Sequence, residues 1–167
     1  MTAQELIKHL NLEPHPKEGG FFREIYRSHA TVPQEVLPNG YDGARSFSTA
    51  IYYLLTPDTF SHLHTVASDE TFHFYLGDPV EMLQLFPDGQ GQTRTLGQDI
   101  ATDQHLTLTV PRGVWQGCRL KTGGKFALMG CTVSPGFEYQ DYGHADRATL
   151  CARYPDFRTE IEALTEA

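Results

Sequence analysis

The chain has little with which to grip a polyanion or build a disulfide framework. Lysine and arginine number 13 against 21 aspartates and glutamates, a net charge of −8, and no basic tract is present. That balance gives no electrostatic footprint for phosphate backbones or anionic lipid, so neither nucleic acid nor membrane is expected as a partner. The three cysteines, Cys118, Cys131 and Cys151, are odd in number, far apart and free of any C-x-x-C pair. They read as small core residues in a reducing, cytoplasmic setting. No apolar run approaches the ~18 residues of a spanning helix. The N-terminus opens on polar residues in place of a basic and apolar leader, and no repeat or low-complexity tract is visible.

What is there suffices for one domain, since 167 residues can bury a core without covalent staples. Thr2 and Glu5 have the spacing of a capping box, and Leu6, Ile7 and Leu10 give the short helix behind them one apolar face, ending by Asn11. The turn-rich run 13–20 follows, then a strand over Phe21–Ser28 and a proline-containing loop over Val32–Gly43. Short strands are predicted over 47–55, 61–66, 70–76, 81–86, 93–96, 106–110 and 125–133. Pro87-Asp88-Gly89 and Thr122-Gly123-Gly124 read as hairpin turns. Such a series predicts a mainly β sandwich or barrel. After Pro135-Gly136 the period becomes helical, over 146–153 and 156–164, with Phe157, Ile161 and Leu164 on one stripe that suits core or dimer cover.

The chemistry concentrates in His62-x-His64, with Glu70 after an Ala67-Ser68-Asp69 turn. Imidazoles at i and i+2 fall on one face of a regular strand, and a carboxylate from the next strand is expected to meet them. Gln116, aimed by the Pro111-x-Gly113 turn, is a fourth candidate. Two readings follow. His62, His64, Glu70 and Gln116 are possible ligands for a divalent zinc, manganese, iron or nickel ion, the amide being the weakest donor. Alternatively the same residues move protons with no cofactor, His64 as the catalytic base and Glu70 tuning it. Phe72 and Trp115 are candidates for the pocket wall, alongside His62 and Gln116 as ligand contacts. Arg23 and Arg27 are expected to share a strand face, where Arg23 suits an anionic ligand, although pairing with Glu24 is equally open; Arg45 carries the same ambiguity. His73 falls out of phase with Glu70, Phe72 and Phe74 and is expected on the other side of the sheet, and His15 is read as a surface residue that orders its loop.

These residues resemble the cupin superfamily, whose first motif is matched by His62, His64, Glu70 and Gly77 and whose second keeps Pro111 and Gly113. Thr56 stands at the first motif's opening glycine, the spacer to Glu70 is one residue longer, and Gln116 replaces the second motif's histidine. The chain is more closely similar to the Cupin-5 family of small single-domain cupins. The likeness runs through His15-Pro16-Lys17-Glu18-Gly19-Gly20, Arg23–Ser28, Ser48–Leu55, Ser68-Asp69-Glu70, Tyr75–Pro79, Val110–Gln116 and Thr132–Phe137. It implies one domain over 1–167, with a jelly-roll β-barrel of the kind seen in sugar-nucleotide epimerases over about 21–137, a helical tail over about 144–165, and a homodimer. It supplies no reaction. The functions it allows are a metal-independent isomerase or epimerase acting on a sugar- or nucleotide-like metabolite, a metal-dependent enzyme on the quartet above, and a non-catalytic binding or sensing module.

Overall fold

The computed structural model describes residues 1–166. Two six-stranded sheets face each other. The first has the order β1 (Glu13–Pro14), β2 (Phe21–Arg27), β5 (Thr49–Leu55), β13 (Ala127–Ser134), β7 (Asp69–Gly77), β11 (Thr107–Val110). The second runs β10 (Gln104–His105), β9 (Gly91–Leu96), β8 (Val80–Leu85), β12 (Trp115–Leu120), β6 (Phe60–Thr65), β14 (Gly143–His144). A small ribbon joins β3 (Thr31–Val32) to β4 (Arg45–Ser46). Chain neighbours repeatedly cross between the sheets, which is the jelly-roll arrangement.

Period-two alternation explains the layering. In β8, Val80 and Met82 point between the sheets while Leu83 and Leu85 point out; in β13, Met129 and Cys131 point in while Leu128 points out. Helices cover part of each outward face. The helix α1 (Ala3–Leu10), with the Thr2/Glu5 capping box formed and Asn11 as its left-handed C-cap, lays Ala3 and Leu6 on Leu54 and Leu128. The tail helices α2 (Arg147–Arg153) and α3 (Arg158–Ala163) bring Leu150, Ile161 and Leu164 onto Leu63, Leu83 and Leu85. The predicted tail stripe is therefore core, and the three cysteines are buried and free.

Three expectations change. Pro87-Asp88-Gly89 does close the β8–β9 hairpin, whereas Thr122-Gly123-Gly124 carries the chain from β12 in one sheet to β13 in the other. Strand β12, which was not anticipated, is the strand that carries Gln116. Strands β6 and β7, consecutive in sequence, lie in opposite sheets, so Glu70 meets His64 across the interior and not from a hydrogen-bonded neighbour.

Candidate functional site

The site begins with a bulge in β6. Along β12, Cys118 is paired with Ser61 and Gln116 with His64, so two residues of one strand span three of the other. Ser61 and His64 therefore both face inward, and the i, i+2 rule fails for the two histidines. His64 is fully buried. Leu63 turns out under the tail, and His62 turns against Phe60 and His144, with ring centroids at 4.4 and 5.8 Å. Opposite the bulge stands Gly117, where a Cβ would lie 2.9 Å from the Ser61 carbonyl oxygen; the close strand approach requires a residue without one.

The bulge also anchors the loop between β1 and β2. The His62 amide donates to the Glu18 carbonyl at 2.8 Å, and the Tyr53 hydroxyl donates to the Gly19 carbonyl at 2.8 Å. Within the loop, His15 Nδ1 accepts the amides of Lys17 and Glu18 at 3.3 and 2.9 Å. A ring nitrogen that accepts is unprotonated, so His15 carries its proton on Nε2. In His64 the roles reverse: Nδ1 lies 2.7 Å from the His62 carbonyl and must donate, leaving Nε2 with a bare lone pair. Glu18 Oε1 sits 3.7 Å from both Nε2 atoms. The order is thus donor, carboxyl, acceptor. Tyr142 stacks on His64 at 5.1 Å and closes its other side.

Glu18 and Glu70 line a cavity of about 320 Å³ between β2, β5, β7 and β13, with Phe22, Ile51, Val133 and Phe137 among its apolar walls. Burial raises the Glu18 carboxyl from an ordinary 4.5 to about 8. Glu70 rises to about 7, through burial first and the charge of Glu18 second, against the opposing pull of His64 and of the Gln116 hydrogen bond. Burial likewise holds His64 below 6.5, and brings His15 to about 4 with help from His64 and Lys17. Near neutrality both histidines are uncharged, and the two carboxyls change charge within the physiological range.

The residues singled out from sequence are not all brought together. His64, Glu70 and Gln116 converge, the Gln116 amide donating to Glu70 Oε2 at 2.7 Å. His62 is carried outside by the bulge. Trp115 faces the tail, because it precedes inward-facing Gln116 in a regular strand. Phe72 shares the inward face of β7 with Glu70 but lies in the core and does not line the cavity. A second bulge, between Glu24 and Tyr26 in β2, separates Arg23 from Arg27: Arg23 is exposed and donates to the Leu10 carbonyl at 3.0 Å, and Arg27 is the arginine at the cavity. Arg45 is buried against Asp141 and Asp42, a structural pairing. His73 faces away from Glu70 and meets Thr132, as its phase predicts. His15 is buried rather than on the surface, though it does order its loop. Glu18 was read only as part of a motif; the H-x-x-E-G-G run is the signal that marks it.

The metal quartet does not fit this arrangement. His62 points elsewhere, and a Gln116 N–H, not a carbonyl oxygen, faces Glu70. Among the described residues no three His, Cys, Asp or Glu side chains converge as a metal cage requires. His64 Nε2 and Gln116 Oε1 are buried with no hydrogen-bond partner among the described residues, behind a cavity wall that Glu18 and Glu70 line.

A jelly roll of two facing sheets, with polar side chains gathered around an interior cavity, defines a cupin. The profile of Cupin_5, described as Cupin superfamily (DUF985), matches residues 4–145, and the chain belongs to that family. It is 32% identical to the uncharacterized protein YML079W of Saccharomyces cerevisiae over 149 residues, covering 84% of this chain and 74% of that one. A hypothetical protein from Leishmania major superimposes with a TM-score of 0.90 at 32% identity, over 100% of both chains. Protein SO0799 of Shewanella oneidensis gives 0.86 at 33%, over 99% of this chain and 98% of that one. An oxalate decarboxylase variant from Bacillus subtilis, at 14% identity and a TM-score of 0.54, covers 95% of this chain and 39% of its own, and shares the fold alone.

Proposed function

We propose that this cupin binds a small metabolite and moves a proton on it without a metal, as an isomerase or epimerase does, on a sugar- or nucleotide-like ring. The observation that carries the reading is the position of Glu18, whose Oε1 lies 3.7 Å from the Nε2 atoms of both His15 and His64 in a cavity wall shared with Glu70. Burial pushes both carboxyls up toward neutrality, so one is available as an acid while the other serves as a base. Glu70, whose ionised form is favoured by the hydrogen bond from Gln116, takes a proton from an activated ring C–H. Protonated Glu18 returns one to the carbanion carbon, and the cycle closes when Glu70 releases its proton to solvent and Glu18 takes one up. His64, behind Glu18, is a positioning residue that also accepts and passes on protons. The cavity volume suits a single ring.

The test is deuterium wash-in. The protein is incubated in D2O with a panel of ring metabolites after chelator treatment, and incorporation is read by mass spectrometry. At least one compound is expected to gain a non-exchangeable deuteron, Glu70→Gln to slow this by about 10²–10⁴-fold, and His64→Ala to slow it while shifting the pH profile. Full exchange surviving in both variants, or incorporation that requires added metal, overturns the reading.

A further inference from the structure

The charge of what enters the cavity is written in its walls. Five glutamates face it, Glu13, Glu18, Glu24, Glu70 and Glu138, against one guanidinium, that of Arg27. That guanidinium is not free to meet an anion. Its Nε and one terminal nitrogen donate to the two oxygens of Glu24 at 3.0 and 2.9 Å. The other terminal nitrogen donates to Glu138 at 2.7 Å, and a further N–H reaches the Phe137 carbonyl at 3.1 Å. Four of the five N–H groups of an arginine are thereby engaged, and one positive charge faces two carboxylates before any ligand arrives. His15 adds no charge, since its Nδ1 is held as an acceptor by two backbone amides. Even with Glu18 and Glu70 protonated, the wall keeps an excess of negative charge.

The aromatic side of the cavity favours the same sign. Tyr139 lines it, edge to face with Phe137 at 5.3 Å. Outside the wall, the Lys17 ammonium rests 5.4 Å from the ring centroids of both Tyr139 and Tyr142. A cation already lies against a ring that borders the cavity, and electron-rich ring faces attract cations. A bound ammonium would find carboxylates and a ring face, whereas a phosphate or carboxylate would find carboxylates and an arginine that is already satisfied.

We infer that the cavity selects a small ring compound carrying a positively charged nitrogen, an amine or an amidine, and rejects phosphorylated and carboxylated metabolites. This rests on the cavity being the ligand site and narrows what it takes: amino sugars and cyclic bases remain, while nucleotide phosphates and sugar acids are excluded.

Two ring-matched sets test it on the full chain at low ionic strength, with binding read by calorimetry and by thermal shift. The sets are glucosamine, glucose and glucuronate, and benzylamine, benzyl alcohol and benzoate. In at least one set the cation is expected to bind about tenfold or more tightly than its neutral partner, and the anion not at all. Glu24 and Glu138 lie at the partly exposed rim, with side chains 43% and 42% accessible. Glu24→Gln and Glu138→Gln should weaken the cation several-fold more than the neutral compound. Binding of an anion ahead of its cation, equal affinities within both sets, indifference to both rim substitutions, or no binding by any of the six overturns the inference. The readout is equilibrium binding, so an inverted charge order would remove the charge selection alone, and failed deuterium wash-in would remove the proton transfer alone.

Discussion

Glu18→Gln should make the ligand-free protein more stable, increasingly so as pH rises. The wild-type carboxyl is 12% exposed and ionises at about 8 in place of 4.5. A carboxyl raised on folding contributes fully below its unfolded value, and that contribution is lost as pH climbs through the folded one. Between 4.5 and 8 the unfolded chain carries the charge and the folded chain does not, so stability falls by about 1.4 kcal/mol per pH unit. The accumulated loss approaches about 4 kcal/mol at pH 8, a ceiling because water entry and local rearrangement relieve part of a buried charge. Glutamine has the shape of the protonated acid and no titration. His15 works in the opposite direction, its depressed pKa contributing stability above 6.5 that is lost as pH falls through about 4. Above pH 6.5 His15 is neutral in both the folded and the unfolded chain, so the change between pH 6.5 and 8.5 reports the carboxyls. Urea unfolding followed by circular dichroism at pH 5, 6.5 and 8.5 should show nearly equal midpoints at pH 5. The variant should lead by about 1 M or more at pH 8.5, for an m-value of about 2 kcal/mol/M. Parallel midpoints across that range would refute the claim that Glu18 is buried as an acid.

Two further outcomes are expected. Arg45 and Asp141, with side chains 1% and 2% exposed and bonds of 2.6 and 2.8 Å, form a buried pair, so Arg45→Ala alone should cost about 3–5 kcal/mol by stranding a charge. Arg45→Met with Asp141→Leu should recover much of that in the same urea assay. At Gly19, φ is +84° and an added Cβ would lie 2.5 Å from the Phe60 carbonyl oxygen. Gly19→Ala should therefore cost roughly 2 kcal/mol or more and displace the Glu18 loop, seen as a fall in thermal midpoint and loss of ligand binding.

The local rules in the sequence were sufficient for most of the fold. The Pro87-Asp88-Gly89 turn, the Thr2/Glu5 cap and the apolar stripe of Ile161 and Leu164 each depend on neighbours within a few positions, and each is realised in the structure. The charge balance was equally legible, and the acidic cavity wall carries it inward. Which side chains meet was not. A single extra residue reverses every facing beyond it, and two bulges with no local signature put His62 outside, sent Arg23 to the surface and brought Arg27 to the cavity. Glu18 enters only because a loop some forty residues earlier in the chain is tied to the β6 bulge by the His62 amide. Sequence determined a β-barrel and pointed to His62, His64, Glu70 and Gln116; tertiary structure kept His64, Glu70 and Gln116 together, removed His62 and added Glu18, because register and burial are properties of paired strands and not of any one of them.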